Sequence, residues 1–211
     1  MATPLRSLSY RYQWVYDTVS RIAALSVGGE GRFRRLAWQA ISLTDQSQIL
    51  DLCCGSGQTT QLLVATGAQV TGLDASPRSL RRAQQAVPGV EWVEAWAEAM
   101  PFEGDRFDLV HTSVALHEMQ PPQRRDIFQE VWRVLRPGGT FALIDFHRPH
   151  NPLLWPGLAL FLWLFETETA WQMLQADLAA ELAAIGFQPV TATFHAQGSL
   201  QVVQARKPDG Q

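Results

Sequence analysis

The chain has 211 residues, 46% of them hydrophobic and 18% charged, which gives length for a full hydrophobic core and too little charge for a disordered segment. Residues 1–211 read as a single domain. A formal net charge of −3 excludes a general attraction to nucleic acid phosphates, and the local groups Arg32, Arg34, Arg35 and Arg78, Arg81, Arg82 read as solvated helix faces, so no nucleic acid partner is expected.

The amino-terminal run MATPLRSLSYRYQW lacks a charged start, a continuous apolar core and a small-residue cleavage site, so no signal peptide is expected. From Tyr10 to Leu43 the apolar spacing is helical and broken at Gly28, Gly29 and Gly31, which predicts a helical cap over residues 1–44. Ile49, Leu50 and Leu52 then form a buried strand that breaks into Cys53-Cys54-Gly55-Ser56-Gly57, where the two glycines permit close ligand approach. Adjacent cysteines neither staple distant segments nor supply a spaced metal site, which points to small packing residues and a reducing, cytoplasmic setting. Val70 to Leu73 is a second strand, ending at Asp74. Ser76 caps the next helix with Pro77 at its first position, and Pro88-Gly89 ends it.

A short strand follows at Val90 to Glu94, and a fourth at Phe107 to Ser113. Pro122 to Leu135 reads as a helix, Pro137-Gly138-Gly139 as a turn and Thr140 to Phe146 as the fifth strand. Pro152 to Phe165 carries no charged residue, yet falls short of the roughly 20 apolar residues that cross a bilayer. Ala176 to Ile185 is helical and stopped by Gly186, while Phe187 to Phe194 and Leu200 to Ala205 form two strands separated by Gln197-Gly198. Strands alternating with helices predict an α/β fold with helices on both faces of a parallel sheet, and the short final turn predicts a carboxyl-terminal antiparallel hairpin.

An acidic side chain at the tip of the second strand, roughly 20 residues beyond a glycine turn, is placed to accept hydrogen bonds from both hydroxyls of a ribose. Asp74 therefore points to a nucleoside cofactor. Thr60 stands where a dinucleotide fingerprint has its third glycine, and no Lys-Ser or Lys-Thr pair follows the turn, which weakens the pyrophosphate and triphosphate readings.

With Asp51 and Gly55 to Gly57 on its first motif and Asp74 on its ribose-binding acid, the chain resembles the class I S-adenosylmethionine-dependent methyltransferases. AEAMPF at Ala97 to Phe102, FDLVHTSVALHEM at Phe107 to Met119 and EVWRVLRPGGTFALIDF at Glu130 to Phe146 look like the later motifs, in order. Within that superfamily DLCCGSG, VYDTVSRIAALSVGGEGRFRRLAW and DFHRPHNP are most similar to the ubiquinone, menaquinone and phylloquinone C-methyltransferases. The resemblance implies a Rossmann-like seven-stranded methyltransferase sheet, S-adenosyl-L-methionine as cofactor and S-adenosyl-L-homocysteine as product. It implies Asp51, Cys53, Gly55 and Gly57 near the cofactor's amino acid end, and Asp74 with Ala75 at the ribose. Ala97 and Glu98 fall at the adenine, and Thr112 and Ser113 at the crevice end of the fourth strand, with Asp145 nearby. The family usually carries an acidic residue just before that Ala-Glu pair. Trp96 stands there instead, so adenine is received by backbone or Glu98, or Trp96 stacks on the purine.

The reaction implied is methyl transfer to a lipophilic aromatic acceptor of the prenylated quinol type. His117 after the fourth strand and His147 after the fifth are the candidate general bases, as neutral imidazoles near pH 7. His111 reads as structural, and no clustered ligand spacing supports a metal, so turnover is expected to survive chelation. Residues 149–175 read as an apolar acceptor-side insertion, with 152–165 as a tunnel wall, a lid or a peripheral membrane contact. Two other readings stay open: a soluble oxygen, nitrogen or sulfur acceptor, and a noncatalytic nucleoside-binding protein.

Overall fold

The structure, a computed structural model, describes residues 27–210. Among these, β1 (Gln48–Leu52), β2 (Gln69–Asp74), β3 (Glu91–Glu94), β4 (Phe107–Ser113), β5 (Leu135–Phe146), β6 (Val190–His195) and β7 (Leu200–Arg206) form one sheet. Its order is β3-β2-β1-β4-β5-β7-β6. The strands from β3 to β5 run parallel, and β7 pairs antiparallel with both β5 and β6. This is the seven-stranded sheet with a closing antiparallel hairpin that the chain's pattern predicts.

Seven helices are described: α1 (Glu30–Phe33), α2 (Gln58–Val64), α3 (Pro77–Ala86), α4 (Pro121–Val134), α5 (Trp155–Phe165), α6 (Glu168–Met173) and α7 (Leu178–Ile185). Their ends follow local chemistry. The Ser76 hydroxyl accepts from the Ser79 N–H at the start of α3, and the Asp177 carboxylate accepts from the Ala180 N–H at the start of α7. Gly186, at φ +124°, ends α7 in a conformation that disfavours any side chain. The helical cap expected over residues 1–44 lies outside the described residues as far as residue 26. Beyond it, α1 and the turns after it bury Phe33, Leu36, Ala37 and Trp38.

Successive strand residues point to opposite faces, and the two cores divide accordingly. Leu50 and Leu52 of β1 join Phe107, Phe128, Phe141 and Phe187 on one face, whereas Ile49 joins Leu63, Leu109, Ile144 and the α1 region on the other. A smaller cluster of Leu162, Ala170 and Leu174 ties α5 to α6 and packs on Phe146 at the end of β5.

Two elements differ from expectation, the sixth strand, which begins at Val190 rather than Phe187, and the fifth. The fifth strand starts at Leu135, directly after α4, and Pro137-Gly138-Gly139 is no separate turn. The pairing steps from Phe107↔Leu135 to Leu109↔Thr140, so residues 136–139 bulge opposite Asp108 alone. Gly138 adopts φ +79°, its N–H donates to the Lys207 carbonyl, and the Lys207 N–H donates to the Gly139 carbonyl. Pairing with a residue far along the chain turns the local turn signal into a strand bulge. No helix among the described residues is long and apolar enough to cross a membrane.

Candidate cofactor crevice and acceptor side

The candidate cofactor residues gather at the carboxyl ends of β1, β2 and β4. As β1 ends, Cys53, Gly55 and Gly57 take φ values of +56°, +56° and +81°, which reverse the chain into α2. Gly57 packs so closely that a Cβ there would meet Trp92 at 3.1 Å and Ala83 at 3.2 Å. The turn is pinned to β2 by Asp74, whose Oδ2 accepts from the Gly55 N–H at 2.8 Å and whose Oδ1 accepts from the Ser76 N–H at 2.8 Å. Each oxygen keeps a further lone pair, and the side chain is only half-buried, so the carboxylate still faces solvent. Ala75 beside it is exposed.

Asp51 is held differently. It is 2% exposed, its Oδ2 accepts from the Thr60 hydroxyl at 2.6 Å, and its Oδ1 accepts from the ring Nδ1–H of fully buried His111 at 3.0 Å. Thr60, which occupies the missing-glycine position, is thus the donor that fixes the first-motif carboxylate. His111 is the other; β1 and β4 place it directly across from Asp51 in the pairing register. Only the side-by-side register of the two strands reveals this pair, and the sequence contains no local sign of it.

Cys53 packs against the core, and burial, then the charges of Asp74 and Asp51, push its thiol up, so it stays protonated and contributes main chain rather than a nucleophile. Trp96, after β3, is 65% exposed and is therefore not core volume. Ala97 is buried. Glu98 Oε1 accepts from the Gln123 amide at 3.0 Å, while its Oε2 is buried with no hydrogen-bond partner. The hydroxyls of Thr112 and Ser113 are likewise buried and unpartnered. Buried polar atoms in native proteins usually find partners, so three such atoms at one sheet end fit a polar ligand.

The acceptor side is built at the ends of β4 and β5. His117 sits in a 3-10 turn after β4, 1% exposed, with Nδ1 2.9 Å from Asp145 Oδ1 and Nε2 3.3 Å from Glu166 Oε2. Asp145 is fully buried and also accepts from the backbone N–H groups of His117 and Phe146. Burial alone favours the neutral ring, but the charge and hydrogen bond of Asp145, followed by Glu166, outweigh it and raise the His117 pKa to about 10. His117 is therefore an imidazolium near neutral pH, rather than the neutral ring expected. His147 has other neighbours: its Nδ1–H donates to the Gly198 carbonyl at 2.9 Å, and its ring lies tilted at 45° against Phe194 of β6, with centroids 4.5 Å apart. The structure brings His117 together with Asp145 and Glu166, and holds His147 against the β6–β7 hairpin.

Comparison with known proteins adds a family context to this geometry. Residues 49–139 match the family model described as "Methyltransferase domain". An uncharacterized methyltransferase of Synechocystis sp. is 54% identical over 98% of this chain and 97% of its own length. A demethylmenaquinone methyltransferase of Clavibacter sepedonicus is 30% identical over 92% of this chain and 86% of its own. Among solved structures, an S-adenosylmethionine-dependent methyltransferase from Methanosarcina mazei superposes with a TM-score of 0.63 at 22% identity, over 80% of this chain and 95% of that one.

Proposed function

The chain belongs to the class I S-adenosylmethionine-dependent methyltransferases, and from that premise we propose that its acceptor is a lipophilic aromatic compound of the prenylated quinol class. The observation that carries this reading is the wall of the acceptor side. α5 has no charged residue; its Leu158, Phe161 and Leu162 pack toward Phe146, one residue from Asp145, with the Phe146 and Phe161 rings 6.0 Å apart. An uncharged wall of this kind favours a greasy ring over a soluble ion. The name of the Clavibacter relative points to the same substrate class.

On this reading Asp74 takes the ribose hydroxyls and the Gly55–Gly57 turn lets the nucleoside approach the backbone. Glu98 Oε2, buried and unpartnered, receives the adenine amino group while exposed Trp96 covers the purine. Asp51 acts through Thr60, holding the start of α2 beneath the cofactor's amino acid end. Cys53 supports the turn through its main chain, Ala75 and Ala97 flank the nucleoside, and Thr112 and Ser113 offer hydroxyls from β4. When bound, the cofactor supplies an electrophilic methyl group, so the protein's main task is to hold the acceptor in line with it.

A quinol acceptor must lose a hydroxyl proton to make its ring carbon nucleophilic. Of the two histidines, His147 has the arrangement a base needs: a carbonyl fixes its proton on Nδ1 and leaves the Nε2 lone pair for the substrate. His117 is held by Asp145 through Nδ1, lies beside the Glu166 carboxylate, and orders the floor between β4, β5 and α6. Residues 149–175 form the acceptor-side insertion. Its outer face exposes Leu153 at 85%, Leu160 at 56% and Trp163 at 66%, which suits peripheral contact with the membrane from which such an acceptor is drawn.

The test uses purified protein, methyl-labelled cofactor and a reduced total lipid extract. Label should partition into the organic phase, and His147→Ala should cut the rate by about 10²–10⁴-fold with cofactor affinity retained. Label confined to the aqueous phase overturns the quinol assignment, and binding without transfer overturns catalysis.

A further inference from the structure

We propose that His117, Glu118 and Glu166 form a binding site for a divalent first-row transition metal ion, with Zn2+ the best match to their donor atoms. One ligand atom from each of the three lies within 4.8 Å of the others. The independent sign of a ligand is His117 itself: 1% exposed, its Nε2 has no hydrogen-bond partner. Glu166 Oε2 is 3.3 Å from that nitrogen, off the line a hydrogen bond needs. Bonds of about 2.0–2.1 Å from one Zn2+ to both atoms would span that separation at an angle of about 105°, close to tetrahedral.

The ring is prepared for such a bond. Asp145 Oδ1 accepts from Nδ1 at 2.9 Å, and Asp145 is itself held by the backbone N–H groups of His117 and Phe146. The ion would displace the Nε2 proton to solvent, while the carboxylate on the far nitrogen keeps the Nδ1–H, the usual support behind a ligating histidine. Charge favours a cation too. Asp145 and Glu166 are both buried, at 0% and 4% exposure, and with Glu118 they set three carboxylates around the single positive ring of His117. Buried carboxylates are costly unless a positive charge is close. Glu118, on the same 3-10 turn as His117, is exposed and brings a third carboxylate from the solvent side, with a ligand atom within 4.8 Å of the other two.

One imidazole and two carboxylates suit Zn2+, and three protein ligands leave a fourth position for water or another oxygen. The ion would cross-link the turn after β4 to the α5–α6 junction, fixing the apolar helix against the sheet end. Sequence spacing could not reveal this, because Glu166 reaches His117 only through the fold.

The experiment strips the purified chain with chelator and titrates it with ZnCl2 in a calorimeter, alongside elemental analysis and thermal unfolding. A single Zn2+ per chain and a raised Tm are expected. Glu166→Gln should weaken binding by at least about 10-fold, given that loss of outer-shell partners alone costs about 10–100-fold. Glu118→Gln, at an exposed position that leaves folding intact, should also weaken it, whereas Glu103→Gln on a distant loop should not. Absence of Zn2+ uptake, or uptake unchanged in both Glu118→Gln and Glu166→Gln, overturns the site.

Discussion

Asp74→Ala should weaken S-adenosylhomocysteine binding by about 10²–10⁴-fold in calorimetry, the equivalent of two hydrogen bonds to a charged group at about 1.5–3 kcal/mol each. Two losses combine at this position. The ribose loses its acidic partner, and the Gly55 and Ser76 N–H groups lose the oxygens that hold the glycine turn against β2. Because the side chain is half-buried and its two partners can turn to water, the thermal midpoint should move little. Asp74→Asn keeps one accepting oxygen and should fall between wild type and alanine. Retained affinity in Asp74→Ala would remove the ribose from this strand tip.

Asp51→Leu should instead act on the fold. Its carboxylate is 2% exposed between the Thr60 hydroxyl and the His111 ring, so removal strands two buried polar groups at once. Breaking a buried pair by deleting one partner typically costs about 3–5 kcal/mol, a large part of the about 5–15 kcal/mol that holds an average domain folded. Urea unfolding should show the midpoint fall, and Asp51→Asn, which can still accept from Thr60, should lose less. A leucine variant as stable as wild type would mean that His111 and Thr60 find other partners. The contrast between the two aspartates is informative: both belong to the glycine-turn pattern, yet one faces the crevice and the other braces it from within.

Elements with local causes were legible in the sequence. The β1 strand and its turn, the Ser76-Pro77 helix start, the Gly186 stop and the closing hairpin all follow from residues within a few positions of one another. What the sequence could not supply depends on register and on distant partners. The bulge at residues 136–139 exists because Lys207, just past β7, pairs with it, and His111 becomes the Asp51 partner because β4 lies beside β1. The protonation of His117 turns first on Asp145 of β5 and then on Glu166, which arrives from the α5–α6 junction. The exposure of Trp96 was undecidable from pattern alone, since tryptophan serves equally as core and as contact surface. The apolar run from Pro152 was visible as composition, but its two faces, one on Phe146 and one toward solvent, appear only in the fold.

The crevice at the ends of β1 and β2 is the centre of this account, and a crystal structure of the chain with S-adenosylhomocysteine tests it most directly. Density should place the ribose on Asp74 and the purine beside Trp96 and Glu98, with the sulfur end directed toward the α5 side. Product density away from the Gly55–Gly57 turn, or none at saturating concentration in a well-folded crystal, would contradict it.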